Sequence, residues 1–362
     1  MTTTFGPGRL VRCPICADDF RWPQGPTVAV FDEIANDYSP VDLTRLSAAR
    51  RTDTIRNSYR QCPNPSGDSK PHFLPATYAD HGDPLVIGMV GAPASGKTHL
   101  LTAMIRQAYL GGLKAHGVTA SALDFRRHEL FRKNFIAQFE RGAALPGSRP
   151  GSIETDILLL RGSGGARPVT FFDVSGEDLE STEVQNRATR FLLAATAVIF
   201  VQASEDPPDA KGPHAVSENR SFELAIERLH GLSGNGAGIA VAMAVTKSDR
   251  LRYLPPADRW LRRNDDSTLN AADIRAESRD AYAYLQHIGA ESSLKPYEAF
   301  ARCALHFVSA SGGEALPVQF DDHTKMYFPH GVRPARVLAP LTSILAMTGV
   351  ISGPEAQKVG LP

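Results

Sequence analysis

The sequence predicts an α/β fold: a mostly parallel sheet covered by helices on both faces, preceded by a small module of different texture. Three observations predict it. Short apolar runs alternate with segments of helical spacing from Leu85 onward, and that alternation gives a parallel sheet buried on both sides. The first run, Leu85 to Val90, passes into a glycine-bearing loop and then a helix-spaced segment. Residues 1–80 lack the alternation and carry Cys13-Pro14-Ile15-Cys16 instead. The 362 residues suffice for two domains, or for one large domain with an appendage.

Each element has its own reason. Pro40 to Tyr59 allows one polar helix, and His81-Gly82-Asp83-Pro84 reads as a turn. Leu85 to Val90 is a buried strand. His99 to Gly111 places Leu100, Leu101, Met104, Ile105 and Ala108 at helical intervals, and a second helix is expected over Ser121 to Arg141. Ile153 to Leu160 and Pro168 to Val174 flank Gly162-Ser163-Gly164-Gly165, which predicts a hairpin. A helix near Val184 to Ala195, a strand at Ala197 to Gln202 and a polar loop at Asp206 to Asn219 come next. Helix Ser221 to Leu232, strand Ile239 to Val245, a partly helical stretch Tyr253 to Cys303, strand Ala304 to Val308 and a helix near Ala335 to Met347 complete the order.

Composition narrows the classes. The apolar set is 42% and charged residues 22%, ordinary for a globular chain and unlike a disordered or coiled-coil one. Lys plus Arg and Asp plus Glu both number 39, so the net charge is zero. That balance argues against non-specific nucleic-acid binding. The longest apolar run, Phe191 to Val201, falls short of the ~20 residues a bilayer helix needs. Met1 to Arg12 has no signal-peptide core. A soluble, cytoplasmic protein without membrane insertion is therefore expected. Four Cys in a reducing compartment are thiols, core residues or metal ligands.

Gly91-Ala92-Pro93-Ala94-Ser95-Gly96-Lys97-Thr98 fits the phosphate loop G-x-x-x-x-G-K-[ST]. Its glycines let backbone N–H groups curl around a polyphosphate, and the following helix N-terminus adds partial positive charge. Lys97 is expected at the β- and γ-phosphates and the Thr98 hydroxyl on Mg²⁺. Phe171-Phe172-Asp173-Val174-Ser175-Gly176-Glu177 supplies a carboxylate at a strand tip for the same Mg²⁺, and Gly176 an N–H for the γ-phosphate. Thr246-Lys247-Ser248-Asp249 follows an apolar strand and matches the [NT]-K-x-D guanine-reading motif. Asp249 can accept from both guanine N1–H and the exocyclic amine, a donor pair that adenine lacks. Lys247 can lay its stem along the base. Ser309-Ala310 belongs to an S-A-x loop whose backbone N–H groups suit guanine O6.

This ordered set resembles the P-loop GTPases over about residues 85 to 350. Finer features are similar to the bacterial double-GTPase proteins of the second type. These are the Cys-Pro-x-Cys start, Arg60-Gln61-Cys62-Pro63-Asn64-Pro65, His72-Phe73-Leu74-Pro75, Gly96-Lys97-Thr98-His99-Leu100-Leu101 and Arg336-Val337-Leu338-Ala339-Pro340-Leu341. The resemblance implies a three-layer P-loop NTPase of GTPase type behind a zinc-ribbon-like N-terminus. It also implies a partner GTPase in a bacterial conflict or signalling system. The expected division is a zinc-ribbon-like module at 1–80, a GTPase domain at 81–352 and a tail at 353–362.

The expected reaction is Mg²⁺-dependent hydrolysis of GTP to GDP in a nucleotide-dependent switch. The alternative is a nucleotide-gated adaptor with little turnover. Glu177 stands where small GTPases carry Gln. A carboxylate can only accept a hydrogen bond and is repelled by the γ-phosphate, so intrinsic hydrolysis is expected to be slow; Glu177 also suits a helix start. The switch-I Mg²⁺ ligand is Ser152 or Thr155. Arg149 has the relative placement of a cis arginine finger, though it also suits a surface loop. Cys13, Cys16, Cys62 and His72 can make one tetrahedral zinc site, or remain as a degraded ribbon that serves as a docking arm. Cys303 reads as core, and His99, His128, His230 and His306 have no partner spacing.

Overall fold

The computed structural model describes residues 8–67, 69–147, 156–174, 191–192, 194–204, 220–233, 238–263, 268–319 and 324–362. Its centre is a seven-stranded sheet in the order β13-β12-β11-β7-β10-β9-β8. These strands are β7 (Leu85–Val90), β8 (Thr119–Ala122), β9 (Ile157–Gly162), β10 (Gly165–Val174), β11 (Ala197–Ala203), β12 (Ala240–Thr246) and β13 (Cys303–Phe307). The five strands from β13 to β10 run parallel, while β9 is antiparallel to both its neighbours.

Helices cover both faces, which is why the central strands read as continuous apolar runs. On one face, Leu100, Met104 and Ile105 from Lys97–Tyr109 and Leu341, Ile344 and Leu345 from Ala339–Met347 pack on Ile87, Met89 and Ile199. On the other, Phe222 and Leu229 from Arg220–Ser233 and Ala281 and Leu285 from Ala271–His287 pack on Val86, Val198 and Met243. Residues 353–362 also join this body. Val359 is buried, Gly360 accepts from Cys303 N–H at 2.9 Å, and Arg302 donates to the carbonyls of Ala356, Gln357 and Val359.

The N-terminal part forms β1 (Leu10–Arg12) paired with β2 (Asp19–Arg21), and a four-stranded antiparallel sheet ordered β4-β3-β5-β6. Its strands are β3 (Thr27–Asp32), β4 (Asp37–Asp42), β5 (Tyr59–Gln61) and β6 (Phe73–Pro75). Pro40 sits on edge strand β4, where a missing N–H costs no ladder bond. This part packs directly on the main body. Ile157 at the start of β9 belongs to its core with Val11, Phe20, Trp22, Leu74 and Tyr78. Tyr59 O–H donates to Asp124 at 3.1 Å, and the Arg126 guanidinium lies 3.8 Å from the Phe31 ring centroid.

Several expectations shift. The helix expected over 40–59 is confined to Ala48–Arg56, because Asp37–Asp42 pairs with β3. The helix expected over 121–141 begins only at Phe125. Thr119–Ala122 pairs with β9, and Asp124 then caps the helix by accepting from Arg127 N–H. A π turn at Arg132–Ile136 lies inside that helical stretch. The helix expected from 335 starts at Ala339, since Ala335 exchanges backbone hydrogen bonds with Ser309 and Arg336 has φ 61°. A hairpin, β14 (Leu316–Gln319) with β15 (Thr324–Tyr327), and the short helix Pro354–Lys358 escaped the sequence reading. Among the described residues no helix is long and apolar enough to cross a membrane.

Candidate functional site

The glycine-bearing loop leaves the C-terminal end of β7 and enters the helix Lys97–Tyr109. Gly91 is required at the strand exit, where a Cβ would lie 2.4 Å from the Val201 carbonyl oxygen. Gly96 has φ 91°, a left-handed conformation that glycine adopts without strain. Lys97 is buried; its ammonium donates to the carbonyls of Gly91 at 2.7 Å and Ala92 at 3.1 Å, holding the loop in a ring. Burial draws the Lys97 pKa down and the charge of Asp173 draws it back up.

Strand register brings the second motif to the loop. Asp173 on β10 is paired across from Met89, two residues before Gly91. The Thr98 hydroxyl donates to Asp173 Oδ2 at 3.3 Å, so the two expected Mg²⁺ ligands stand side by side. A hydroxyl and a carboxylate at adjoining strand and helix ends are hard oxygen donors, the set Mg²⁺ takes beside phosphate oxygens.

The third and fourth motifs converge from β12 and β13. Thr246 Oγ1 donates to the Ser95 carbonyl at 2.5 Å and lies 3.1 Å from that of Gln202, tying the end of β12 to the phosphate loop. Lys247 adopts φ 55°, and its carbonyl accepts from the Ser204 hydroxyl at 2.8 Å. The buried Ser309 hydroxyl donates to Asp249 Oδ1 at 2.6 Å and accepts from Gly312 N–H at 2.9 Å. The carboxylate and the S-A-x loop are therefore one unit.

A cavity of about 490 Å³ joins these parts. Its lining includes Pro93, Ala94, Ser95, Gly96, Lys97 and Thr98 from the glycine loop and Thr246, Lys247, Asp249 and Ala310 from the ends of β12 and β13. Of the other sequence-derived candidates, Gly91, Ala92, Asp173 and Ser309 bond directly to residues of this lining. Arg149, Ser152, Thr155, Gly176 and Glu177 lie outside the described residues.

The sequence reading missed part of the wall: Ala144 to Gly147, Glu314 and Phe328. It also missed His99. The His99 Nε2 accepts from Leu145 N–H at 3.0 Å and its ring meets Phe139 and Phe328 edge-on. Burial, with the nearby Lys247 charge, pulls the His99 pKa down to about 4, so the imidazole is neutral and can accept that bond. Two further histidines are also paired: His128 with Asp156 at 2.7 Å, and His306 with Glu277 at 2.9 Å.

A second constellation lies in the N-terminal part. The ligand atoms of Cys13, Cys16, Cys62 and His72 fall within 4.8 Å of one another, and all four residues are buried. Cys13 Sγ is 3.2 Å from His72 Nε2, and Cys16 Sγ is 3.8 Å from Cys62 Sγ. His72 Nδ1 lies 2.8 Å from the Lys70 carbonyl, which places the ring proton there and leaves Nε2 as the donor atom. Ile15 N–H points at Cys13 Sγ and Asn64 N–H at Cys62 Sγ, each at 3.4 Å. Burial pushes the Cys13 thiol up, whereas hydrogen bonds from Cys13, Cys16 and Asn64 N–H pull Cys62 down. Three thiols and an imidazole gathered in a buried site fit a metal ion. Cys303 lies apart, buried in β13.

Among proteins of known identity, a stretch of 77 residues is 31% identical to Rho GTPase-activating protein 36 of Mus musculus. That match covers 21% of this chain and 13% of the relative. The Double-GTPase 2 family matches residues 85–294, more than half of the chain and from β7 to beyond the Asp249 motif. On that match, joined to the seven-stranded sheet and its glycine loop, the chain belongs to the Double-GTPase 2 family.

Proposed function

We propose that the protein binds GTP in the cavity of about 490 Å³ and hydrolyses it to GDP with Mg²⁺. One observation carries the reading. A single cavity is lined both by Pro93 to Thr98 of the glycine loop and by Asp249, which accepts from the Ser309 hydroxyl. In this assignment the loop amides and Lys97 neutralise the phosphates, Thr98 and Asp173 hold Mg²⁺, and Thr246, Lys247, Asp249, Ser309 and Ala310 hold the base. Catalysis is positioning plus charge stabilisation. Gly176 offers its N–H to the γ-phosphate, Glu177 faces the attacking water, Arg149 acts as the finger, and Ser152 or Thr155 completes the Mg²⁺ shell. These last residues rest on sequence spacing alone.

Cys13, Cys16, Cys62 and His72 hold one structural Zn²⁺, the metal that a Cys₃His set selects. The zinc module spans residues 1–80, the GTPase domain 81–352 and the tail 353–362. The protein acts in the cytoplasm as a nucleotide-dependent switch toward a partner GTPase or effector, in a bacterial conflict or signalling system. Glu177 favours a second reading, an adaptor that binds GTP with little turnover. Identifying the nucleotide and metals that co-elute with the purified chain tests the binding assignment. Single-turnover GTP cleavage separates the two readings: a rate at background supports the adaptor, and cleavage with purified protein alone supports the enzyme.

A further inference from the structure

The stretch from Met326 to Arg336 runs between two parts of the cavity wall. At one end, Ala144 N–H donates to the Met326 carbonyl at 2.8 Å and Phe328 N–H to the Gly142 carbonyl at 2.7 Å. At the other, Arg333 N–H donates to Ser311 at 2.7 Å, and Ser309 and Ala335 exchange bonds at 2.9 and 2.8 Å. Arg336 anchors the far end: its guanidinium donates to the buried Glu277 carboxylate at 2.5 Å, which also receives Phe307 N–H and faces His306. The segment is thus a strap held at both ends, joining the Asp249–Ser309 unit to the Gly142–Leu145 stretch.

Phe328 is where this strap reaches the cavity. Its ring is braced edge-on by His99, with centroids 5.7 Å apart, and by Phe139 at 6.2 Å. His99 in turn holds Leu145, a cavity neighbour, and feels the charge of Lys247. An aromatic ring, a Lys stem and a carboxylate around one cavity suit a planar purine: the carboxylate reads an edge while apolar surfaces cover the faces. Because the ring is braced beforehand, little side-chain freedom remains to be lost on binding.

We propose that the Met326–Arg336 strap supplies one wall residue of this cavity, Phe328, and that Phe328 contacts the ligand by covering a purine face. The inference rests on the nucleotide reading above and adds a binding residue to it. It also makes the strap the physical link between the base loop and the Gly142–Leu145 stretch. Base contact through an aromatic face is indifferent to which purine is present, so Phe328 contributes affinity while Asp249 contributes selectivity.

The test uses the full chain with Phe328→Leu and Phe328→Tyr. Binding of GTP, ATP and inorganic tripolyphosphate is measured by competition against a fluorescent GTP derivative, with thermal unfolding recorded for each protein. Leu keeps apolar bulk against His99 and Phe139 but removes the ring. Phe328→Leu is expected to weaken GTP about fivefold or more, the range of a lost base–aromatic stack. Tripolyphosphate affinity stays as in the parent, and Phe328→Tyr, which keeps the ring, stays close to the parent for every ligand. Unchanged GTP affinity in Phe328→Leu overturns the proposal. So does an equal loss for tripolyphosphate, which would place Phe328 behind the phosphate loop. A parent that binds neither GTP nor ATP overturns the nucleotide reading and this inference with it.

Discussion

Asp249→Asn is the perturbation that separates a guanine reader from a turn after a strand. The substitution keeps size and replaces one carboxylate oxygen by an amide. Ser309 O–H donates to Asp249 Oδ1 at 2.6 Å, so the variant retains an acceptor for that hydroxyl, and the amide group goes to the other position. The backbone there is held independently: Ser248 N–H donates to Val308 at 3.2 Å and Arg252 Nε to the Asp249 carbonyl at 2.8 Å. The fold should not change. What changes is the edge offered to the base, where two donors of guanine meet one acceptor fewer and a new donor. Hydrogen bonds to a charged group contribute about 1.5–3 kcal/mol each. Losing one gives about 1.5–3 kcal/mol, roughly 10- to 100-fold in affinity, and the new donor facing a guanine donor adds to the loss. Xanthine, with an oxygen where guanine has its amine, should gain. Competition of GTP, ATP and xanthosine triphosphate against a fluorescent nucleotide, on parent and variant, reads the effect. A parent that prefers ATP, or a variant that keeps full preference for GTP, refutes the reasoning.

Lys97→Ala removes a buried ammonium from the phosphate loop and little core volume, so tight GTP binding should vanish while the circular dichroism spectrum persists; unchanged affinity would reject the loop assignment. Elemental analysis should find one zinc per chain, and Cys13→Ser should release it without abolishing GTP binding; metal-free protein in which Cys13 and Cys16 are nonetheless protected from alkylation would count against the site. Acidification tests His99. Its folded pKa of about 4 lies below the ordinary 6.5, so the unfolded chain takes up a proton first. Stability should therefore fall as pH drops from ~6.5 toward ~4, by up to about 3 kcal/mol, and His99→Gln should flatten that part of the denaturation profile.

The sheet was legible because burial on both faces leaves a signature that no loop imitates. Leu85–Val90 carries no polar residue and leads into the glycine loop, Ala240–Thr246 is apolar up to Thr246 of the third motif, and Ala197–Ala203 is apolar except for Gln202. The weak elements were misread for the opposite reason. Thr119–Ala122 is an edge strand, exposed or half-buried along its length, and its Ala and Ser carry no periodicity that distinguishes strand from helix. What fixes it is pairing with Leu158 to Arg161, far along the chain. The hairpin Leu316–Gln319 with Thr324–Tyr327 is almost wholly exposed, so no inward face patterns its sequence.

The site divides along the same line. The cavity residues Pro93 to Thr98 and Thr246, Lys247 and Asp249 sit in contiguous motifs, and a glycine loop at a strand end announces itself. Residues that support the site from a distance have no such local trace. Glu277 illustrates this: it lies mid-helix at a position any solvated glutamate could occupy, yet it is buried. Burial alone would push its pKa up, but His306, Arg336 and the Phe307 N–H together pull it down, so it stays charged. Removing one partner of a buried ion pair costs about 3–5 kcal/mol, because it strands the other charge. An apolar replacement of both partners can be neutral, so what distinguishes the pair is what it positions. Here the pair fixes the end of the strap whose other bonds hold Ser309, and Ser309 holds Asp249. The chain of contacts runs from Ala271–His287 through Arg336, Ala335 and Ser309 to the Asp249 carboxylate, so Glu277 and Arg336, which lie outside the nucleotide motifs, support the carboxylate assigned to the base.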